Sequence, residues 1–125
     1  MIVADTDVLI DFLSGHEPVA SRVAAALAEE GLATTVVSRF ELLSGVRTPK
    51  QGRAVGRLLE ALSTLALDSP AADRAARVRR DLEKASVSIG MADSLIAGIV
   101  LEHGGRLLTR NLRHLERVEG LPLVL

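Results

Sequence analysis

Short strand-like segments alternate with amphipathic helices along this chain, and this alternation restricts the possible folds more than any other feature of the sequence. The strand-like segments are apolar and lie at 2–5, 33–37, 64–67, 106–109 and 121–125. Parallel strands need long crossover connections, which helices supply, and the helices then cover both faces of the sheet. The sequence therefore predicts an α/β fold with three layers, α/β/α, around a short, mainly parallel central sheet of four to five strands.

Residues typical of helix starts and stops bound the segments between the strands. Helices are predicted at 6–15, 19–30, from 38 onward, 50–63, 71–85 and 91–103, with a short turn or helix at 111–116. We expect Thr6 or Asp7 to cap the first helix and Ser38 to cap the third. Ser38 and Glu41 have the Ser-x-x-Glu spacing of a capping box, which places Glu41 in the first turn of its helix.

The composition excludes several classes of protein. A length of 125 residues predicts one domain over residues 1–125, and the absence of cysteine excludes disulfides, zinc–thiolate sites and cysteine nucleophiles. The sequence shows neither a signal peptide nor an apolar stretch of the roughly 20 residues that span a bilayer, so we expect a cytoplasmic protein with no membrane contact. Phe12 and Phe40 are the only aromatic residues. Any RNA ligand would therefore be held by its backbone and shape rather than by base stacking.

Three acidic residues lie where the predicted topology would bring them together. Asp5 ends the first strand, Glu41 follows the second, and Asp93 opens the helix before the fourth. The carboxyl ends of parallel strands share one edge of the sheet, and ligands bind there where the strand order reverses. Carboxylates gathered at one place repel each other unless a cation neutralises them, and Mg²⁺ or Mn²⁺ prefers oxygen ligands. Asp7 is near enough to Asp5 to contact such an ion through water.

Each acid also has an interpretation that needs no metal. Asp5 could hydrogen-bond the start of the first helix, Glu41 could be one half of the capping box, and Asp93 is favoured in a first turn by the helix dipole. A different enzyme class is open as well, because residues 3–7 (VADTD) have the strand-then-Asp-x-Asp form of haloacid-dehalogenase-like phosphatases. That class also needs a lysine after a later strand and a late acidic pair, and neither feature is present in the sequence.

Four segments of the chain have the order and spacing of a known family. They are IVADTDVLID at 2–11, SRFELLSGV at 38–46, IGMADSLIA at 89–97 and LLTRNLRHLERVEGL at 107–121. With these segments the sequence resembles a PIN domain, specifically the VapC toxins of bacterial type II toxin–antitoxin pairs. The resemblance implies a PIN-like, Rossmann-like fold and a Mg²⁺-dependent endoribonuclease that leaves 5′-phosphate and 3′-hydroxyl ends. A PIN-like domain that has lost activity and serves as a binding or regulatory module is the alternative.

The resemblance also implies roles for individual positions. Asp5, Glu41 and Asp93 would be the catalytic, metal-binding acids, and Thr6 and Thr109 would support them. Many relatives bring a fourth acid from a Thr-x-Asp-x-x-Asp stretch after the fourth strand.

Asn111 and His114 occupy those two places in this chain. Asn111 could still bind an ion through its carbonyl oxygen or hold a metal-bound water. The loss of charge favours one tightly held ion over two.

The resemblance implies a cognate VapB-like antitoxin and a homodimer within the toxin–antitoxin complex. The apolar tail of the antitoxin would lie in a groove between helices 6–14 and 38–63. Contacts to RNA phosphates are expected from four arginines that we place around the active edge: Arg106, Arg110, Arg113 and Arg117.

Overall fold

The computed structural model describes residues 1–124 of the chain. Within these residues the strands are β1 (Ile2–Ala4), β2 (Ala33–Thr35), β3 (Ser63–Leu65), β4 (Arg106–Leu108) and β5 (Leu123–Val124). The helices are α1 (Thr6–Ser14), α2 (Val19–Glu29), α3 (Val36–Ser44), α4 (Pro49–Ala61), α5 (Ser69–Lys84), α6 (Met91–His103) and α7 (Leu112–Leu115). None of these helices is long and apolar enough to cross a membrane.

The five strands form one parallel sheet in the order β3-β2-β1-β4-β5. The chain builds outward from β1 through β2 to β3, then crosses back so that β4 pairs with the other side of β1. Val3 of β1 is therefore in register with Ala33 on one side and Leu107 on the other. The strand order reverses at the β1–β4 boundary, which is the position that binds ligands in open α/β sheets.

Side chains alternate across the strands and divide the core into two halves. Ile2, Ala4 and Leu108 point to the side covered by α1, α2 and α4, whereas Val3 and Leu107 point to the side covered by α5, α6 and α7. All five of these residues are buried. The predicted three-layer α/β/α arrangement is confirmed. The end of the predicted last strand, residue 125, lies outside the described residues.

The predicted capping box of the third helix is wrong. Thr35 has an extended backbone, and its Oγ1 accepts a hydrogen bond from the backbone N–H of Ser38 at 3.1 Å. The helix therefore begins at Val36, three residues before the start at Arg39 that a Ser38 cap would give. The β-branched pair of valines at 36 and 37 made this stretch look like strand, but the Thr35 cap starts the helix first. Glu41 consequently lies in the second turn of α3 rather than the first.

The cap of α1 also differs from the prediction. Asp5, not Thr6 or Asp7, is the cap, and its Oδ1 accepts a hydrogen bond from the Thr6 N–H at 2.8 Å. The alternative interpretation of Asp5, as a hydrogen-bond acceptor at the start of the first helix, is therefore confirmed. The hydrogen bond from Thr6 fixes the orientation of the Asp5 carboxylate. Its other oxygen, Oδ2, then faces the end of β4.

Helices α5 and α6 approach closely at Gly98. A Cβ atom at this position would lie 2.6 Å from the Ala75 Cβ and backbone N and 2.7 Å from the Ala71 carbonyl oxygen. Both alanines are buried on α5. Only the absence of a side chain at 98 allows this separation, and the separation fixes the position of α6, which carries Asp93 in its first turn.

Candidate active site

Asp5 is the central acid of the site, at the β1–β4 boundary of the sheet. Its backbone N–H donates to the Leu108 carbonyl oxygen at 2.9 Å, which continues the β1–β4 pairing by one residue. Its Oδ2 accepts a hydrogen bond from the Thr109 hydroxyl at 2.7 Å, and the Asp5 residue is only 5% exposed. Thr109, predicted as a supporting group, thus binds the central acid directly from the neighbouring strand end.

The environment of Asp5 disfavours its charged form. Burial raises its pKa most, and the charges of Asp7 and Asp93 raise it further. The hydrogen bonds from Thr109 and Thr6 act in the opposite direction, and the net result is a pKa raised from 3.8 to about 6. A nearby cation would reverse this penalty, because it favours the ionised carboxylate.

Glu41 joins the site through a hydroxyl network that connects α3 to α1. Thr6 Oγ1 lies 2.6 Å from Glu41 Oε1 and 2.8 Å from Ser38 Oγ. An ionised carboxylate can only accept, so the Thr6 hydroxyl donates to Glu41 and accepts from Ser38. Ser38 is fully buried. Its role in this network was not predicted, although Thr35 and Ser38 have the spacing of a helix cap, three residues before the Ser38–Glu41 spacing used for the predicted capping box.

Asp93 faces the same edge from the first turn of α6. Burial raises its pKa, as do the charges of Glu41 and Asp7, while the charge of His114 lowers it. Asn111 Nδ2 donates to Asp93 Oδ2 at 3.2 Å. Asn111, predicted as a supporting residue, therefore contacts Asp93, although the choice of partner depends on the path of the loop that leaves β4.

Asp7 is held by the chain segment that follows β4. Its Oδ2 accepts a hydrogen bond from the Arg110 backbone N–H at 3.0 Å and lies 3.5 Å from Thr109 Oγ1. The other carboxylate oxygen, Oδ1, is buried and has no hydrogen-bond partner.

The structure brings Asp5, Asp7, Glu41 and Asp93 to one edge, where their charges influence one another. Among residues 1–124, however, no group of three His, Asp or Glu side chains is arranged to hold a metal ion. The acids share one electrostatic environment without converging on a single point. Their donor chemistry fits a hard divalent cation, because every charged ligand is a carboxylate and one buried carboxylate oxygen lacks any donor.

The four candidate arginines do not cluster as predicted. Arg106 begins β4 and is in register with Ile2, so it lies at the opposite edge of the sheet, 4.0 Å from Glu30. Only the carboxyl end of β4 lies at the active edge, so a residue at the start of this strand is remote from the acids. Arg117 lines a groove between α5 and the segment after α7, away from the acids.

The other two arginines lie closer to the acids. Arg110 follows Thr109 directly, and its guanidinium pairs with Asp11 at 2.6 Å. Arg113 is exposed on α7, two residues after Asn111.

Comparison with known proteins assigns the fold to a family. The family model for the PIN domain matches residues 2–121. This chain belongs to the PIN-domain family. The chain is similar along its length to Ribonuclease VapC10 of Mycobacterium tuberculosis. The two are 34% identical over 97% of this chain and 90% of that protein.

Solved structures show the same PIN fold. VapBC-1 from nontypeable Haemophilus influenzae aligns with a TM-score of 0.83 and 26% identity over 99% of this chain and 97% of that one. VapBC2 from Rickettsia felis, crystallised with a DNA fragment from its promoter, aligns with a TM-score of 0.86 and 20% identity over 99% of this chain and 98% of that one. Membership of the PIN family removes the haloacid-dehalogenase-like alternative.

Proposed function

We propose that this PIN domain is a Mg²⁺-dependent endoribonuclease, the toxin of a toxin–antitoxin pair, and that Mn²⁺ can replace Mg²⁺. The proposal rests mainly on the group of acids where the strand order reverses. Burial and like charge raise the pKa of Asp5 and of Asp93 there, and a bound cation would favour their ionised forms. The 34% identity to Ribonuclease VapC10 supports RNA as the substrate. We further propose that Asp5 and Asp93 bind the ion directly.

When bound, Mg²⁺ would supply the positive charge that lowers the pKa of an attacking water and neutralises the phosphate oxygens. Asp5 is oriented for ion binding by Thr6 and Thr109, and Asp93 by Asn111. Glu41 accepts from Thr6 through Oε1. Its Oε2 is then available to bind the ion or to take the proton of the water as a general base.

RNA would be bound through its phosphates. Arg113 is exposed two residues after Asn111, and Arg110 could contribute its guanidinium if the pair with Asp11 opened. The products would carry 5′-phosphate and 3′-hydroxyl ends. A basic side chain that contacts phosphates holds the RNA strand in place but does not recognise its base sequence.

We expect RNA cleavage by the purified protein to require Mg²⁺ and to stop in excess EDTA. Asp93→Asn and Glu41→Gln should each lower the rate by about a hundredfold or more, because each removes a proposed ligand or base while keeping the side-chain shape. The measurement is single-turnover cleavage of a labelled RNA. Asp73→Asn, which removes one exposed charge on α5, is the control and should leave the rate unchanged. Undiminished cleavage in EDTA would contradict the proposal.

A groove beside the acids offers a site for the antitoxin. It lies between α1, α3 and α4, has a volume of about 600 Å³, and is lined by apolar residues that include Ile10, Leu13, Leu42 and Val46. Glu41 also lines it, so the groove opens onto the acids. One of the similar solved structures is a toxin–antitoxin complex from Klebsiella pneumoniae. We propose that the apolar segment of a VapB-like antitoxin occupies this groove, within a complex in which the toxin is a homodimer.

Ile10→Lys should weaken binding of the antitoxin by at least about tenfold. Ile10 is 48% exposed on the groove, and a lysine there would have to bury its charge under an apolar partner. Leu67→Lys changes an exposed leucine that does not line the groove and serves as the matched control. Titration of each variant with the antitoxin encoded beside the toxin gene measures the difference. Equal affinities for the two variants would place the antitoxin elsewhere.

The second candidate function is a PIN-like module without activity. The specific observation behind it is that Asn111, beside Asp93, contributes no negative charge. Calorimetry with MgCl₂ separates the candidates, because an inactive site would bind the ion poorly.

A further inference from the structure

The Asp7 carboxylate is poorly compensated by the protein around it. Its Oδ1 is buried and has no hydrogen-bond partner. Its Oδ2 has one clear donor, the Arg110 N–H, because the single proton of the Thr109 hydroxyl is already directed to Asp5 at 2.7 Å. A buried acceptor without a donor is destabilising, and native structures rarely retain one without a reason.

No side-chain cation within residues 1–124 pairs with Asp7. The nearest candidate in sequence is Arg110, whose backbone contacts Asp7. Its guanidinium points instead to Asp11, with Nε 2.6 Å from Oδ2. The negative charge of Asp7 is therefore not compensated by a side chain of the described residues, and a bound cation could compensate it.

The groups around Asp7 are themselves acidic or neutral. The Thr109 hydroxyl lies 2.7 Å from Asp5 Oδ2 and 3.5 Å from Asp7 Oδ2, so the two carboxylates lie on either side of one donor. Asn111, the polar side chain that contacts Asp93 from the β4 side, is uncharged and uses its Nδ2 for that contact. A cation bound at this edge would neutralise these acids without moving the chain.

A role as an ordinary first-turn acid does not account for Asp7. Such an acid would interact with the free N–H groups of its own helix. The hydrogen bond that Asp7 makes comes instead from Arg110, across the sheet edge, and fixes the carboxylate beside Thr109. The segment that follows β4 therefore holds the Asp7 side chain, and the same segment also hydrogen-bonds Asp5 and Asp93.

On the basis of the proposed function, we propose that Asp7 is a fourth carboxylate of the metal centre, which binds the ion and supplies the negative charge that Asn111 lacks. Asp7 thereby becomes a metal-binding residue rather than a remote support. The centre then contains four acids, three from the sequence positions expected for the family and one from α1.

The test is calorimetric titration of the full chain with MnCl₂ and with MgCl₂, in the absence of RNA. Asp7→Asn should weaken ion binding by about tenfold or more, whereas Asp73→Asn, with the same change in net charge, should bind like the unchanged protein. Thermal unfolding in EDTA provides the second measurement. Asp7→Asn keeps an oxygen for the Arg110 N–H and removes repulsion with Asp5, so its melting temperature in EDTA should be equal or higher. A lower melting temperature together with unaltered ion affinity would mean that Asp7 is only structural.

A second-site change makes the inference sharper. Asn111→Asp, placed in the Asp7→Asn background, restores a carboxylate next to Asp93 and should recover ion affinity to within about threefold of the unchanged protein. The inference about Asp7 is contradicted if Asp7→Asn binds the ion as tightly as the unchanged protein, or if Asn111→Asp fails to restore the affinity that Asp7→Asn loses. A protein that binds no ion and cleaves no RNA in its unchanged form contradicts the proposed function instead.

Discussion

Asp5→Asn should abolish metal-dependent RNA cleavage and, at the same time, make the metal-free protein more stable. Asp5 is buried, and its pKa is raised to about 6, so at pH 7.5 the folded protein carries a charge that its surroundings disfavour. Asparagine removes the charge and keeps both hydrogen-bonding positions, since its Oδ1 can accept from Thr6 and its Nδ2 can donate to the Thr109 hydroxyl. We expect at least a hundredfold loss of cleavage, roughly the effect of losing a direct ligand.

The gain in stability should depend on pH in a defined direction. The pKa of Asp5 is higher in the folded chain than its ordinary value of 3.8, so the folded state binds more protons between pH 4 and 6. Stability from this group is therefore present at low pH and is lost as the pH rises through about 6. A shift from 3.8 to about 6 corresponds to about 3 kcal/mol at most.

Urea unfolding in EDTA at pH 7.5 and pH 5.0 measures this effect. Asp5→Asn should exceed the unchanged protein by about 1–3 kcal/mol at pH 7.5, and by clearly less at pH 5.0, where Asp5 itself becomes protonated. Asp73→Asn should show neither difference. A variant that is less stable than the unchanged protein at pH 7.5 would show that the charge of Asp5 is compensated within the protein. In that case the need for a cation would lose its main support.

Gly98→Ala should destabilise the protein by about 1–2 kcal/mol, although alanine is the better helix former. The added methyl group would meet Ala75 and the Ala71 carbonyl at 2.6–2.7 Å, and two of the three atoms are backbone, which cannot turn away. Overpacking of this kind costs about 1–3 kcal/mol, occasionally more, and outweighs the gain of about 1 kcal/mol from helix propensity.

Gly56→Ala is the matched control for this variant. Gly56 lies within α4, and nothing lies within 4 Å of the position that its Cβ would occupy. This change should therefore stabilise the protein by about 0.5–1 kcal/mol. Urea unfolding of the two variants gives the comparison. Equal stabilities would mean that α5 and α6 can separate freely, and that the position of Asp93 does not depend on their contact.

The layer architecture could be predicted from the sequence because it depends on two strong signals. Buried parallel strands read as short apolar runs, and the helix at 91–103 has a clear start and a stop at Gly104. The convergence of Asp5, Glu41 and Asp93 on one edge followed from chain order alone, since the ends of parallel strands must meet there.

Local geometry could not be predicted in the same way. Thr35 rather than Ser38 caps α3, and the two β-branched residues after Thr35 favoured a strand over a helix there. Arg106 was predicted near the acids, but as the first residue of β4 it lies at the other edge of the sheet. The unpartnered oxygen of Asp7 has no sequence signal at all, because it depends on where Arg110 directs its guanidinium.

The order of the strands also has a consequence for synthesis on the ribosome. β1 is made first, yet its central place in the sheet is completed only when β4 pairs with it more than a hundred residues later. Until residue 109 has emerged, Asp5 lacks its hydroxyl donor, and one side of β1 has no neighbouring strand. A chain that has emerged only as far as β3 therefore lacks the complete site that we propose as the nuclease centre. Under the proposed function, the translating ribosome is exposed to the toxin only after β4 and Thr109 have left the exit tunnel.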